Sequence, residues 1–197
     1  MYRAVTLYFL RHDLDWNDPQ TVRETLPKIS LHFEPDAAEG TSPIFMNGEN
    51  VSEQIRTMEV TNNVSPVSTV TTIRRFLVAQ QQEIGRGKGV VAEGRDIGTV
   101  VFPEAEVKVF MQADMESRVR RRQKQLQEQG HEVAATKIRA NLSERDRLDT
   151  TRQDSPLHKA EDAIVLDTSD TTFEEQVSTI LDYVQTAIRQ KSDAQTV

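Results

Sequence analysis

Cysteine is absent from the 197 residues, which excludes disulfide frameworks, thiol nucleophiles and Cys-ligated metal sites. Aromatic residues are scarce, 6% of the chain with a single Trp, and they do not cluster. Stacking platforms for single-stranded nucleic acid are therefore not expected. Long apolar runs are also missing. The longest near the start, Ala4 to Leu10, lies between Arg3 and Arg11; it is far too short to span a bilayer and lacks the small-residue cleavage site of a signal peptide. Positive charge is in deficit: 24 Lys and Arg face 31 Asp and Glu, a net charge of −7, which argues against a general nucleic-acid binder.

What remains is an ordinary globular composition, 28% charged and 37% apolar, in a chain long enough for one sizeable core and a small accessory lobe. The charge is unevenly spread. Between Arg118 and Arg152 there are ten Lys or Arg and five Asp or Glu, a local balance of +5, so the rest of the chain carries −12. A basic island in an acidic protein fits a compact anionic ligand; a solvated helical face laced with i,i+4 ion pairs would look the same.

The chain is organised around Gly89 to Pro103. Gly89-Val90-Val91-Ala92 reads as a short buried parallel strand entered from a glycine-rich turn. Glu93, Arg95 and Asp96 follow it, spaced by Gly94 and Gly98, at the carboxyl end of a strand, where open α/β sheets bind ligands. Locally, a polar turn between two core strands accounts for the same residues. The glycines at 85, 87 and 89 with Lys88 do not form a Walker A loop, because Gln82 and Gly89 occupy the positions that require glycine and Ser or Thr.

Around this centre, Met1 to Leu10 reads as a helix without an N-cap. Alternation at Ile29, Leu31 and Phe33, then Ile44-Phe45-Met46 before Asn47-Gly48, predicts short antiparallel strands with a hairpin turn. Thr57 to Val64 and Thr72 to Ile84 read as helices separated near Pro66, the second with Ile73, Leu77 and Ile84 on its apolar face. Ser65 reads as a turn serine and Arg74 as a surface arginine. Val107, Val109 and Met111 form a further strand, and Asp114 caps a helix that carries Arg118, Arg121 and Arg122 on one face, with Gly130 as its stop. From Ala134 to Arg152 another helix places Arg145, Asp149 and Arg152 on one face, a geometry that would also serve an internal salt-bridge ladder. Ala163 to Leu166 reads as a last buried strand. Thr172 and Glu175 then form a capping box for an amphipathic helix with Phe173, Val177, Ile180, Leu181, Val184 and Ile188 inward, and residues after Gln190 read as a frayed tail.

Two segments, Glu93-Gly-Arg-Asp-Ile-Gly-Thr-Val-Val-Phe-Pro103 and Glu144-Arg-Asp-Arg-Leu-Asp-Thr-Thr-Arg152, together resemble the signatures of bacterial cytidylate kinases. The likeness runs from Met1 to about Tyr183, with Thr150 and Thr151 departing from the Arg-Asn often found there. It implies an α/β fold of the P-loop nucleoside monophosphate kinase type, a parallel sheet flanked by helices. One kinase domain would span 1–197, with a nucleotide-binding insert at 28–54 and a helical lid at 116–133. It implies phosphoryl transfer from ATP to CMP or dCMP, with Mg²⁺ accompanying ATP and no metal ligands from this chain. Carried over by residue, Arg3 and Arg95 hold the acceptor phosphate, and Ser65, Arg74 and Asp96 read cytosine. Arg145, Asp149 and Arg152 contact the pentose and a neighbouring phosphate, while Arg118, Arg121 and Arg122 belong to the lid over ATP, the last two closing on the transferring group.

The family's opening strand, phosphate loop and first helix, on the order of 25–30 residues, have no counterpart in this sequence. The resulting expectation is a truncated chain, inactive by itself, with a nucleotide-binding pseudokinase that keeps the CMP lobe but cannot hold ATP as the alternative; an RNA-binding protein using the 118–152 island is a third reading. A cytoplasmic monomer without nucleic-acid or membrane partners is expected.

Overall fold

The computed structural model describes residues 1–36, 38–128 and 130–194, and the chain divides into two units, Met1–Val90 and Val91–Val197. In the first, helix α1 (Tyr2–Arg11) buries Ala4, Val5, Thr6, Leu7 and Phe9. A stripe this broad belongs to a helix set inside a core. Met1 makes no side-chain cap bond, as the sequence predicts. A second helix that hydrophobic patterning left out, α2 (Pro19–Thr25), starts where the Asp18 carboxylate accepts from the amides of Gln20 and Thr21, with proline at the first helical position.

Strands β1 (Leu31–Phe33), β2 (Ile44–Met46) and β3 (Glu49–Asn50) form an antiparallel sheet in that order. Phe45 pairs with Asn50 and Met46 with Glu49, leaving Asn47 and Gly48 as a two-residue turn with φ of 52° and 84°. Two consecutive left-handed residues match the strand twist, which is why Asn-Gly sits there. Helix α3 (Met58–Ser68) begins at Thr57, whose hydroxyl accepts from the Val60 amide. The helix does not break at Pro66, contrary to expectation, but continues to Ser68. Proline lies in its last turn, where Ser68 and Thr69 hydroxyls donate to the carbonyls of Ser65 and Pro66. Helix α4 (Thr71–Gly85) buries Ile73, Arg74 and Leu77, whereas Ile84, in its final turn, is exposed. The core of this unit joins α1 to β2, α3 and α4 through Val5, Phe9, Ile44, Val60, Val67 and Leu77.

In the second unit, β4 (Val109–Gln112) and β5 (Ile164–Asp167) pair in parallel, with Val109 opposite Ile164. Val107 lies before the strand. Residues 89–92 form no strand, and Val91 is fully exposed. An apolar tetrapeptide needs a ladder for its backbone groups and a covering face for its side chains, and among the described residues this one has neither. Helix α5 (Met115–Glu128) starts at Asp114, whose carboxylate accepts from the Ser117 amide and hydroxyl, each at 2.8 Å. The chain turns at Gly130, φ 79°, with the His131 amide bonded to the Leu126 carbonyl. Within the expected lid, Gln129 lies outside the described residues. Helix α6 (Ala135–Thr151) packs on α5 through Val119, Leu126 and Ile138.

Helix α7 (Phe173–Ala194) opens with the expected capping box: the Glu175 carboxylate accepts from the Thr172 amide, and the Thr172 hydroxyl accepts from the Glu175 amide. Its apolar side is not inward, however. Phe173, Leu181 and Ile188 are exposed, as are Val165 of β5 and Met111 of β4. Lengths explain this, since a 22-residue helix extends roughly 33 Å and a four-residue strand only about 13 Å. Two such strands cannot cover it. Helix α7 runs past Gln190, with Lys191 Nζ 2.9 Å from a Glu106 carboxylate oxygen; residues 195–197 of the expected tail lie outside the described residues. Among the described residues no helix is long and apolar enough to cross a membrane.

Candidate functional site

Residues 93–103, where charge and glycine meet in the sequence, fold as a bend followed by one π-helical turn, Ile97–Val101. The Phe102 amide closes it on the Ile97 carbonyl at 2.7 Å. Such single wide turns bulge the backbone and re-aim the side chains beside them. Gly94 is required by close approach, because a Cβ there would lie 2.9 Å from the Ile97 side chain. Asp96 opens the turn with its carbonyl accepting from the Val100 and Val101 amides, and its side chain is buried.

The neighbouring Arg95 reaches α6. Its Nε donates to Asp149 Oδ2 at 2.8 Å, and Arg152 Nη1 donates to Asp149 Oδ1 at 3.1 Å. Arg152 is extended just beyond the helix end and is held there by a 2.7 Å bond from its Nε to the Ser155 carbonyl. Its side chain is 5% exposed, and its Nη2 lies 4.0 Å from an Asp96 carboxylate oxygen. One cluster of Arg95, Asp96, Asp149 and Arg152 thus unites the two sequence motifs.

Arg145, expected to share Asp149, makes no hydrogen bond to it; its buried Nε has no hydrogen-bond partner among the described residues. Burial pushes its pKa below the ordinary arginine value, and the like charges of Arg95 and Arg122 act in the same sense, against Asp149 and Asp146. A desolvated guanidinium flanked by other guanidiniums is stabilised by an incoming anion.

The lid arginines are tethered separately. Arg118 makes a fork-to-fork pair with Asp146, at 2.6 and 2.8 Å, which raises its pKa, chiefly through that hydrogen bonding. Arg121 donates to the carbonyl of Thr168 just past β5 and, at 3.1 Å, to its hydroxyl. Arg122 Nη1 donates to Gln125 at 2.6 Å. Sequence reading gave Asp146 and Thr168 no part. Asp146 stands inside the Glu144–Arg152 motif, where its i+1 relation to Arg145 was the available signal; nothing near Thr168 marks it.

The residues predicted in the first unit have their own geometry. Arg3 Nη1 donates to the Ile55 carbonyl at 2.7 Å and to the Thr61 hydroxyl at 3.0 Å. Ser65 lies within α3 and not in a turn. Arg74 is not a surface residue: it is 2% exposed, donates to the Ser68 carbonyl at 3.0 Å and lies over the Tyr2 ring, 5.2 Å from its centroid. A guanidinium tolerates such burial because its planar face can lie on an aromatic ring while its edge meets a carbonyl.

Among the described residues no group of three His, Asp or Glu comes together as a metal cage. Asp149 is already shared by two guanidiniums, and Asp96 lies against Arg152, so these carboxylates do not fit a resident Mg²⁺.

Counting Arg145, three guanidiniums, Arg95, Arg145 and Arg152, thus gather around the carboxylates of Asp96 and Asp149. The cytidylate kinase family model matches residues 1–186. The chain is 45% identical over 193 residues to the cytidylate kinase of Parabacteroides distasonis, covering 95% of this chain and 83% of that protein. It is 45% identical over 192 residues to that of Flavobacterium johnsoniae, covering 96% and 84%, and 44% over 190 residues to that of Porphyromonas gingivalis, covering 94% and 82%. This chain belongs to the cytidylate kinase family, and it is a phosphotransferase. These matches give no support to a missing opening segment, an inactive chain or a pseudokinase.

Proposed function

We propose that the protein transfers the γ-phosphoryl group of ATP to CMP or dCMP, releasing ADP and CDP or dCDP. An oxygen of the acceptor phosphate attacks the γ-phosphorus while the bond to the β–γ bridging oxygen breaks, and the electron pair leaves with ADP. Such transfer asks little covalent chemistry of the protein; positioning and charge neutralisation dominate.

The observation that carries this reading is the Asp149 carboxylate, fixed on one oxygen by Arg95 and on the other by Arg152, beside a desolvated Arg145. A carboxylate so oriented accepts from a pentose hydroxyl, and the surrounding guanidiniums attract the phosphate of the same nucleotide. Arg95 serves the acceptor phosphate. Asp96, buried 4.0 Å from Arg152, serves the cytosine amino group. In the other unit, Arg3 is assigned to the acceptor phosphate and Ser65 and Arg74 to the base. Arg118, Arg121 and Arg122 are assigned to the ATP side, as part of a lid at 116–133. Mg²⁺ is expected to arrive with ATP.

The test is ADP release by the purified protein with MgATP and CMP, dCMP or UMP, together with calorimetric binding of each acceptor. CMP and dCMP should be bound and turned over in preference to UMP. Absence of both CMP binding and CMP-dependent ADP release would overturn the assignment.

A further inference from the structure

Three kinds of contact surround α5. At its base, Asp114 and Ser117 bond to Ser169, and Arg121 bonds to Thr168, fixing the helix to the end of β5. Along its length it packs on α6 through Val119, Leu126 and Ile138. Two ion pairs then lash it to α6: Arg118 with Asp146, and Arg139 with Glu116. The second is the more exposed, whereas Arg118 and Asp146 retain only 29% and 33% of their side-chain exposure and meet through two parallel bonds. A bidentate pair of that kind fixes both distance and orientation, which a single ion pair on a flexible stem does not.

Asp146 stands at a junction. On α5 its partner Arg118 precedes Arg121 and Arg122 by three and four residues, on the same face. On α6 it directly follows Arg145 and precedes Asp149 by three residues. It also helps offset the positive surroundings of Arg145, to which Arg122 contributes. A phosphate that draws Arg121 away from Thr168 removes one tie of α5 to the end of β5, and the fork between Arg118 and Asp146 passes any resulting shift of α5 to the helix that holds Arg145 and Asp149. We propose that Asp146 is a positioning residue that couples the ATP-side arginines of α5 to the acceptor-side face of α6, making the affinity for one nucleotide depend on the presence of the other. The lid is then the α5–α6 hairpin, and not α5 alone. This rests on the functional reading above.

Coupling of this sort is reciprocal and measurable. CMP binding to the full chain is measured by calorimetry with and without a non-hydrolysable ATP analogue and Mg²⁺, and the ratio of the two dissociation constants is the coupling factor. Wild-type protein should show a factor of about five or more. Asp146→Asn keeps the shape of the side chain and removes its charge. It should bind CMP alone within about threefold of wild type while its coupling factor falls toward one. Amide exchange in 115–128 should rise in the variant, and Asp146→Glu should recover part of the coupling. If Asp146→Asn does not fold, Arg118→Lys, which keeps the charge but cannot form the two-bond fork, probes the same pair from the other side.

Wild-type CMP affinity that is unaffected by the analogue, with both nucleotides bound, overturns the coupling and leaves the kinase assignment standing. An Asp146→Asn or Arg118→Lys protein with the wild-type coupling factor also overturns it. Failure of the wild-type chain to bind CMP overturns the functional reading and the coupling together.

Discussion

Arg95 and Asp149, 54 residues apart in the chain, meet through a 2.8 Å bond from Nε to Oδ2. Arg95 is 44% exposed at the side chain and Asp149 only 12%, so the carboxylate is the buried member and the arginine still touches water. Replacing Asp149 by Ala removes the nearest counter-charge of both Arg95 and the 5%-exposed Arg152. The expected result is a roughly hundredfold loss of kcat/KM for CMP and dCMP, with ATP affinity retained. Stability should fall by about 2–3 kcal/mol, below the full penalty for breaking a wholly buried pair because Arg95 remains hydrated. Steady-state kinetics and urea unfolding of the same variant check both. Normal kinetics with a large stability loss would reduce Asp149 to a structural brace.

Asp96 should govern base choice. Cytosine presents an amino donor where uracil presents a carbonyl, so a carboxylate at that edge favours CMP and repels UMP. Asp96→Ala is expected to lower the ratio of kcat/KM for CMP over UMP by tenfold or more. Unchanged relative values would remove Asp96 from base recognition.

The Asp114 cap makes a pH prediction. Hydrogen bonds from the Ser117 amide and hydroxyl pull its carboxyl down from 3.8 to about 2. A depressed folded-state pKa means that its contribution is fully present above about 3.8 and is lost as pH falls through about 2. Asp114→Asn, which keeps a capping oxygen without a titrating group, should therefore melt less steeply with acid than wild type between pH 4 and 2. Thermal melts across that range, read as the difference between the two proteins, isolate this cap from the other depressed carboxylates, Asp162, Asp167 and Glu175 among them. Parallel curves would show that the cap does not titrate as described.

Arg74 supports the first unit from within. Arg74→Ala leaves the Ser68 carbonyl without its 3.0 Å donor, strips the Tyr2 ring of its cation and opens a void beside Ile73 and Leu77. A destabilisation of about 2–4 kcal/mol is expected, measured by urea unfolding with α1 and α4 amide exchange as the local readout. A loss under about 0.5 kcal/mol, the scale of an ordinary surface substitution, would contradict the burial.

What the chain specifies by itself is whatever can be settled within a few residues. Asp114 with Ser117, Thr172 with Glu175, Asn47-Gly48 between two strands and Gly130 after α5 all act over one to four positions, where backbone geometry alone decides the contact, and each appears where the sequence places it. The two motifs likewise carry enough residue identity to fix the family. Through-space relations were not legible in that way. Arg74 has the spacing of a surface residue and is buried because α1 brings Tyr2 over it, and Val91 has the composition of a core strand and is exposed because no described strand pairs with it. Helical periodicity put Asp149 with Arg145 and Arg152, yet its second partner is Arg95, supplied by the bend at 93–96. Arg118 finds Asp146 in the same manner, across 28 residues. Periodicity says which side chains share a face; only the folded neighbours of that face determine which charges are paired, which are desolvated and hence which remain able to attract a ligand.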